Sequence, residues 1–188
     1  KVHVELRVGG DESNTFVILD GGDKLTAAAG TETKDLTSVA EGVYEGKFAT
    51  GKEVEFTVAL DRTEDEDAPG SKGTLPPPFT MTSPASDETH SRADDNVLVT
   101  WSPVPDSEAT IDVSGDCIFA ESYTAVGALG MLTIPKADLK SLDDMKPLSC
   151  TVTITVTCMR TGKADLAYDD ESHVFTYQTR TTSFLSAP

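Results

Sequence analysis

Between Cys150 and Cys158 the chain reads Cys-Thr-Val-Thr-Ile-Thr-Val-Thr-Cys, a strict period of two. Side chains alternate across an extended strand, so both cysteines share a face with Val152, Ile154 and Val156. Thr151, Thr153, Thr155 and Thr157 take the opposite face. The pattern specifies a β-strand with one side in a core and the other in water. The second half of the chain is organised around it.

The same alternation recurs elsewhere. Val2, Val4 and Leu6 alternate with His3, Glu5 and Arg7, and Val54, Phe56, Val58 and Leu60 point one way along residues 53–60. Residues 15–19, 24–29, 31–39 and 43–48 read as further strands, with Gly21-Gly22 between Asp20 and Asp23 as a hairpin-type turn. That gives about six strands before residue 63, without a helical period. Beyond residue 79, strands are expected at 79–82, 97–101, 110–114, 117–119, 130–134, 150–158 and 174–184. Seven is the count of an immunoglobulin-type sandwich. Pro135 suits the first position of a short helix reaching Leu139 or Leu142, the one helical candidate.

Between these halves the composition changes. Glu64-Asp65-Glu66-Asp67 is a charge run, and Pro76-Pro77-Pro78 favours a stiff polyproline II segment. The expectation is an all-β chain of two tandem Ig-like antiparallel β-sandwiches: residues 1–70, a Pro-rich linker at 71–78, and residues 79–188.

The net charge is −17, from 15 Lys plus Arg against 32 Asp plus Glu. Divided after Leu75, the chain has 8 basic and 16 acidic residues before and 7 and 16 after, so the acidity is not a tail. Binding to a phosphate backbone or an anionic membrane needs Lys and Arg, so neither nucleic acid nor such a membrane is an expected partner. No apolar run approaches the ~20 residues of a spanning helix. The chain starts at Lys1, as would a mature chain whose export signal has been removed, or any trimmed chain.

Chemistry-bearing motifs are sparse. His3, His90 and His173 have no sequence pattern joining them to a serine, and His-x-His, Cys-x-x-Cys, Gly-x-Ser-x-Gly and phosphate-loop motifs are absent. The expectation is a non-enzyme without a cofactor. One cation site is conceivable: Asp61, Asp65, Glu66 and Asp67 at the linker could offer Ca²⁺ a set of oxygens, with Asp94-Asp95 as the second module's share. The threonine face is the other conceivable ligand surface. It needs several matched strands, whereas Thr179, Thr181 and Thr182 do not continue the period in sequence, so the expectation is a solvated face.

The cysteines obey a length constraint. At ~3.3 Å per residue the ends of a 150–158 strand lie ~26 Å apart, whereas a disulfide needs Cα atoms within ~4.4–6.8 Å. Cys150 therefore does not pair with Cys158, and Cys117 can reach one or the other. Three reduced thiols are the remaining alternative.

Pro78-Phe79-Thr80-Met81, followed by Val97-Leu98-Val99-Thr100-Trp101 before Pro103, resembles strands A and B of fibronectin type III and related Ig-like modules. The resemblance implies a buried Trp101, and Leu139 or Leu142 at the corner usually held by a Tyr. The segments Leu19–Ala27, Thr74–Phe79, Leu132–Pro135 and Thr181–Ser186 also resemble secreted or lipid-anchored bacterial envelope proteins of unassigned function. That likeness implies export to the periplasm, outer-membrane surface or extracellular space, with a lipid anchor possible upstream of Lys1. Within that group Cys158 resembles an added residue, and it abuts the Arg160-Thr161-Gly162 turn, which favours Cys117–Cys150 as the disulfide. The implied role is a non-catalytic binding, adhesion or scaffold module for a protein or glycan at the cell surface. A calcium-dependent interdomain module and a hydrolase with an unrecognised site at the domain junction are the alternatives.

Overall fold

The computed structural model describes residues 1–9, 13–103, 108–125, 129–143 and 148–188. The described residues form fifteen strands and no helix. They divide into two compact units, one of residues 1–75 with 160–176, the other of residues 76–159 with 177–188.

The first unit contains β1 (Val2–Glu5), β2 (Lys24–Ala29), β3 (Glu32–Asp35), β4 (Thr37–Ala40), β5 (Val43–Gly46), β6 (Glu55–Asp61) and β7 (Ala68–Thr74). One sheet has the order β1-β5-β4 and the other β3-β2-β6-β7. Alternation sends Leu25, Ala27 and Leu60 inward against Tyr44, Leu36 and Ala68. The Tyr44 hydroxyl accepts the Leu19 amide at 2.8 Å, so the buried ring keeps its polar tip satisfied. Residues 15–19, expected as a strand, contribute only the isolated bridge Arg7–Phe16.

The second unit contains β8 (Thr80–Ser83), β9 (Thr89–Ser91), β10 (Val97–Ser102), β11 (Glu108–Gly115), β12 (Glu121–Ala125) and β13 (Met131–Ile134). It also holds most of β14 (Cys150–Thr161) and β15 (Phe175–Ala187). Its sheets are β13-β10-β8 and β12-β11-β14-β15-β9. Between them lies one core in which Val99, Ile111, Ile134, Val152, Ile154, Val156 and Cys158 have no exposure, together with Phe79, Trp101 and Phe184. The inward half of the Cys150–Cys158 alternation is thus the centre of a sandwich-like fold. Trp101, at 3 % exposure, belongs to the same core.

Eight strands stand where seven were expected. β12 and the short β9, which runs parallel to β15, stand where no strand is expected from sequence. Residues 117–119 form a turn and the isolated bridge Ile118–Ser141 instead of a strand. The expected helix after Pro135 is a turn: Asp138 donates to the Pro135 carbonyl, and Ala137 has φ 66°. That left-handed conformation cannot continue a right-handed helix. The neighbouring amides are used elsewhere, Lys136 donating to Asn96 Oδ1 and Ala137 to the Arg92 carbonyl at 2.6 Å. Leu139 is buried, whereas Leu142 is half exposed.

Residues 71–74 of the expected linker lie in β7 of the first unit. In the second unit Pro76 is fully buried, and its carbonyl accepts Gln178 Nε2 at 2.7 Å. Residues 160–176 join the first unit through the Lys72–Lys163 bridge and the Thr176 hydroxyl, which donates to the Thr74 carbonyl at 2.7 Å. Gly162 permits this approach, since a Cβ there would overlap the Lys72 carbonyl oxygen.

Candidate functional site

The acidic stretch serves the β6–β7 turn. Asp67 Oδ1 accepts the Arg62 amide at 2.7 Å, and Asp23 Oδ1 accepts both the amide and the hydroxyl of Thr63 at 2.8 and 2.9 Å. Carboxylates that accept backbone amides in this way close turns. Among the described residues no group of three or more His, Cys, Asp or Glu side chains is placed to hold a metal ion. Asp61, Asp65, Glu66 and Asp67 are therefore not gathered as a ligand set. Asp95, weighed as a distant contributor, accepts the Ser91 amide at 2.8 Å.

The histidines sit in ordinary surroundings. His3 lies between Glu5 and Glu45, at 3.0 and 2.9 Å, in a surface network that also joins Lys1 to Glu45 and Arg7 to Glu5. Hydrogen bonds to the two carboxylates raise the His3 pKa above 6.5. Those to His3 and Arg7 lower Glu5, and those to Lys1 and His3 lower Glu45. His90 contacts Glu88 at 3.0 Å and meets the Phe184 ring edge to face. His173 lies beside Phe175.

Cys117 and Cys150 form a disulfide with Cα atoms 5.7 Å apart. Cys117 follows the end of β11 and Cys150 opens its neighbour β14, so the bond pins the two strands where Gly115 pairs with Val152. Cys158, at the far end of that pairing, is opposite Ala109 in the core.

The threonine face has a different character from the one its sequence suggests. Register places Thr110 of β11 opposite Thr157 of β14 and Thr124 of β12. Thr157 Oγ1 lies 3.3 Å from Thr179 Oγ1 of β15, completing a row across four strands. One step along, Ser122, Asp112, Thr155 and Thr181 make a second row. Ser122 donates to Asp112 Oδ1 at 2.8 Å, and Thr155 and Thr181 hydroxyls are 3.5 Å apart. Thr179 and Thr181 thus do extend the ladder, contrary to the expectation from sequence. The alternation of β11 and β15 was readable, but the pairing that aligns them was not, and β12 was missed altogether. Within these two rows each side chain carries a donor or acceptor and Asp112 alone is charged, while the next outward pair is Glu108 and Met159. On the same side of β15, Tyr177 is 58 % exposed.

Comparison with known proteins finds no match among family models, curated proteins or solved structures.

Proposed function

We propose that this chain is a non-catalytic binding module exported to a bacterial cell envelope, built of two Ig-like units, and that its ligand is a surface glycan. The observation that carries the reading is the outer face of the five-stranded sheet, where two rows of hydroxyl groups run across four strands beside an exposed tyrosine. Sugars present hydroxyls that both donate and accept, as threonine and serine do, and an aromatic ring covers their apolar faces. A nearly uncharged array on a chain of net charge −17 suits a neutral polymer better than a charged partner. The disulfide supports an oxidising compartment, where such bonds persist.

Co-sedimentation with insoluble chitin, an uncharged glycan polymer, tests the reading. The wild-type chain is expected in the pellet, and Thr155→Arg, which places a long cation among the hydroxyl rows, is expected to reduce retention at least about tenfold, with Tyr177→Ala smaller in effect. Far-ultraviolet circular dichroism of both variants should match the wild type. A wild-type chain that stays in the supernatant, or a Thr155→Arg variant that pellets equally well, overturns the proposal.

A further inference from the structure

At one end of the second unit, remote in sequence from the hydroxyl rows, Arg92 is buried to 7 % exposure. Nη1 donates to Ser186 Oγ at 3.0 Å and lies 3.5 Å from the Ser186 carbonyl and 3.4 Å from Cys117 Sγ. Nη2 donates to the Leu148 carbonyl at 2.8 Å. All of these partners are neutral. A guanidinium has five donor hydrogens, so these contacts leave the Nε hydrogen and one Nη2 hydrogen to solvent or a bound group. Among the described residues Arg92 also forms no ion pair. Buried charges in folded proteins are ordinarily paired, because desolvation of an uncompensated ion is costly.

Beside Arg92 lies a cavity of about 390 Å³. Its walls include a second cation, Lys140, the apolar groups of Phe119, Leu139 and Ala137, and Pro188, with no Asp or Glu side chain among its described lining residues. The absence is notable on a chain with 32 acidic residues. The cavity's shape depends on the turn after Pro135. Left-handed Ala137 donates its amide to the Arg92 carbonyl, and Phe119 donates to the Lys140 carbonyl at 3.0 Å. Phe119 keeps half its surface exposed at the rim.

We propose that this cavity is a binding site for a small organic carboxylate with an apolar body. The carboxylate accepts the remaining hydrogens of Arg92 and pairs with Lys140, while the body packs on Phe119 and Leu139. The volume is within the range of small-molecule sites, and the combination of apolar wall and few charged groups is their usual composition. Arginine suits the carboxylate because its planar fork presents parallel donors.

Titration of the ¹⁵N-labelled full chain with benzoate, followed by amide chemical shifts, tests this assignment. Saturable shifts are expected at Ala93, Phe119, Ala137 and residues 139–141. Benzamide, the neutral isostere, should bind about tenfold more weakly or worse, as loss of charge-assisted hydrogen bonds predicts. Sulfate, which has charge without an apolar body, should also be weaker than benzoate. Lys140→Gln, a change on an open wall, is expected to weaken benzoate severalfold without altering the rest of the spectrum. Arg92→Lys is the second variant, and a folded spectrum with wild-type affinity would overturn the proposal. So would the absence of saturable shifts with benzoate, equal binding of benzamide or sulfate, or shifts confined to another part of the chain.

Discussion

The two units have nearly the same length and are held together differently. Among the described residues the first buries six apolar side chains in its core, two of them alanines, whereas the second buries seventeen, with three large aromatic rings. Burial contributes ~25 cal/mol per Å² of apolar surface, so the second unit draws far more of its stability from packing. The first relies more on polar closures. Asp165 Oδ2 accepts the Gly70 amide at 2.6 Å, Arg160 pairs with Glu53 at 2.7 Å, and the contact of His3 with Glu45 joins β1 to β5. Two units with similar numbers of strands thus differ in what holds them, packing in the second and polar closures in the first.

Truncations of buried side chains strain this contrast most. Ile154→Ala removes a side chain with no exposure from the middle of the larger core, and is expected to cost about 2–5 kcal/mol. Leu25→Ala in the first unit should fall at the lower end of that range, since a core bounded by alanines offers fewer contacts to lose. Trp101 is the chain's one tryptophan and lies in the second core, so its fluorescence during denaturation follows that unit, while resolved amide signals follow the other. Equal costs for the two variants would dissolve the difference in packing.

Reduction of the Cys117–Cys150 bond is the next largest perturbation. The bond closes a loop with a sequence separation of 33, for which the chain-entropy estimate is about 3–4 kcal/mol. The Trp101-detected midpoint should fall on reduction, and the amide signals of residues 24–46 should keep their own midpoint. A common shift of both would mean that the units do not unfold separately. Intact mass before and after reduction, differing by about two daltons, provides the control.

Legibility in the sequence follows the same divide. Val152, Ile154 and Val156 were readable as core because strict alternation leaves one geometry, and Trp101 followed from its likeness to a known module. The disulfide was reduced to two choices by strand length alone, and a resemblance favoured the one present. β9 and β12 are not readable because three to five residues of mixed polarity carry no periodic signal, and the partner of β9 is distant in sequence. The hydroxyl rows depend on cross-strand register, which alternation within single strands leaves open. Arg92 gave no signal because burial of a lone arginine depends on loops that meet only in three dimensions. The acidic run suggests a cation site, but among the described residues no three of its carboxylates gather, and Asp67 accepts a turn amide.

The smallest effect probes the polar side of the contrast through pH. The His3 pKa is raised in the folded chain, so the contribution of its pairing is complete below about 6.5 and is lost as pH rises through the folded value. Glu5 and Glu45 are lowered, so theirs is present above about 4.5 and is lost as pH falls through the folded values. Both are in force between those limits, where the first unit should gain most from this network. His3→Asn should therefore lower the first unit's midpoint at pH 5.5 more than at pH 8, and leave the Trp101-detected transition unmoved at either. The effect is modest because the pairs are exposed and screened by salt. Proton titration of the His3 ring gives an independent measure, with an expected midpoint above 6.5. A midpoint at or below that value would remove His3 from the interactions that tie β1 to β5, and would leave Lys1–Glu45 as the side-chain pair described between these strands.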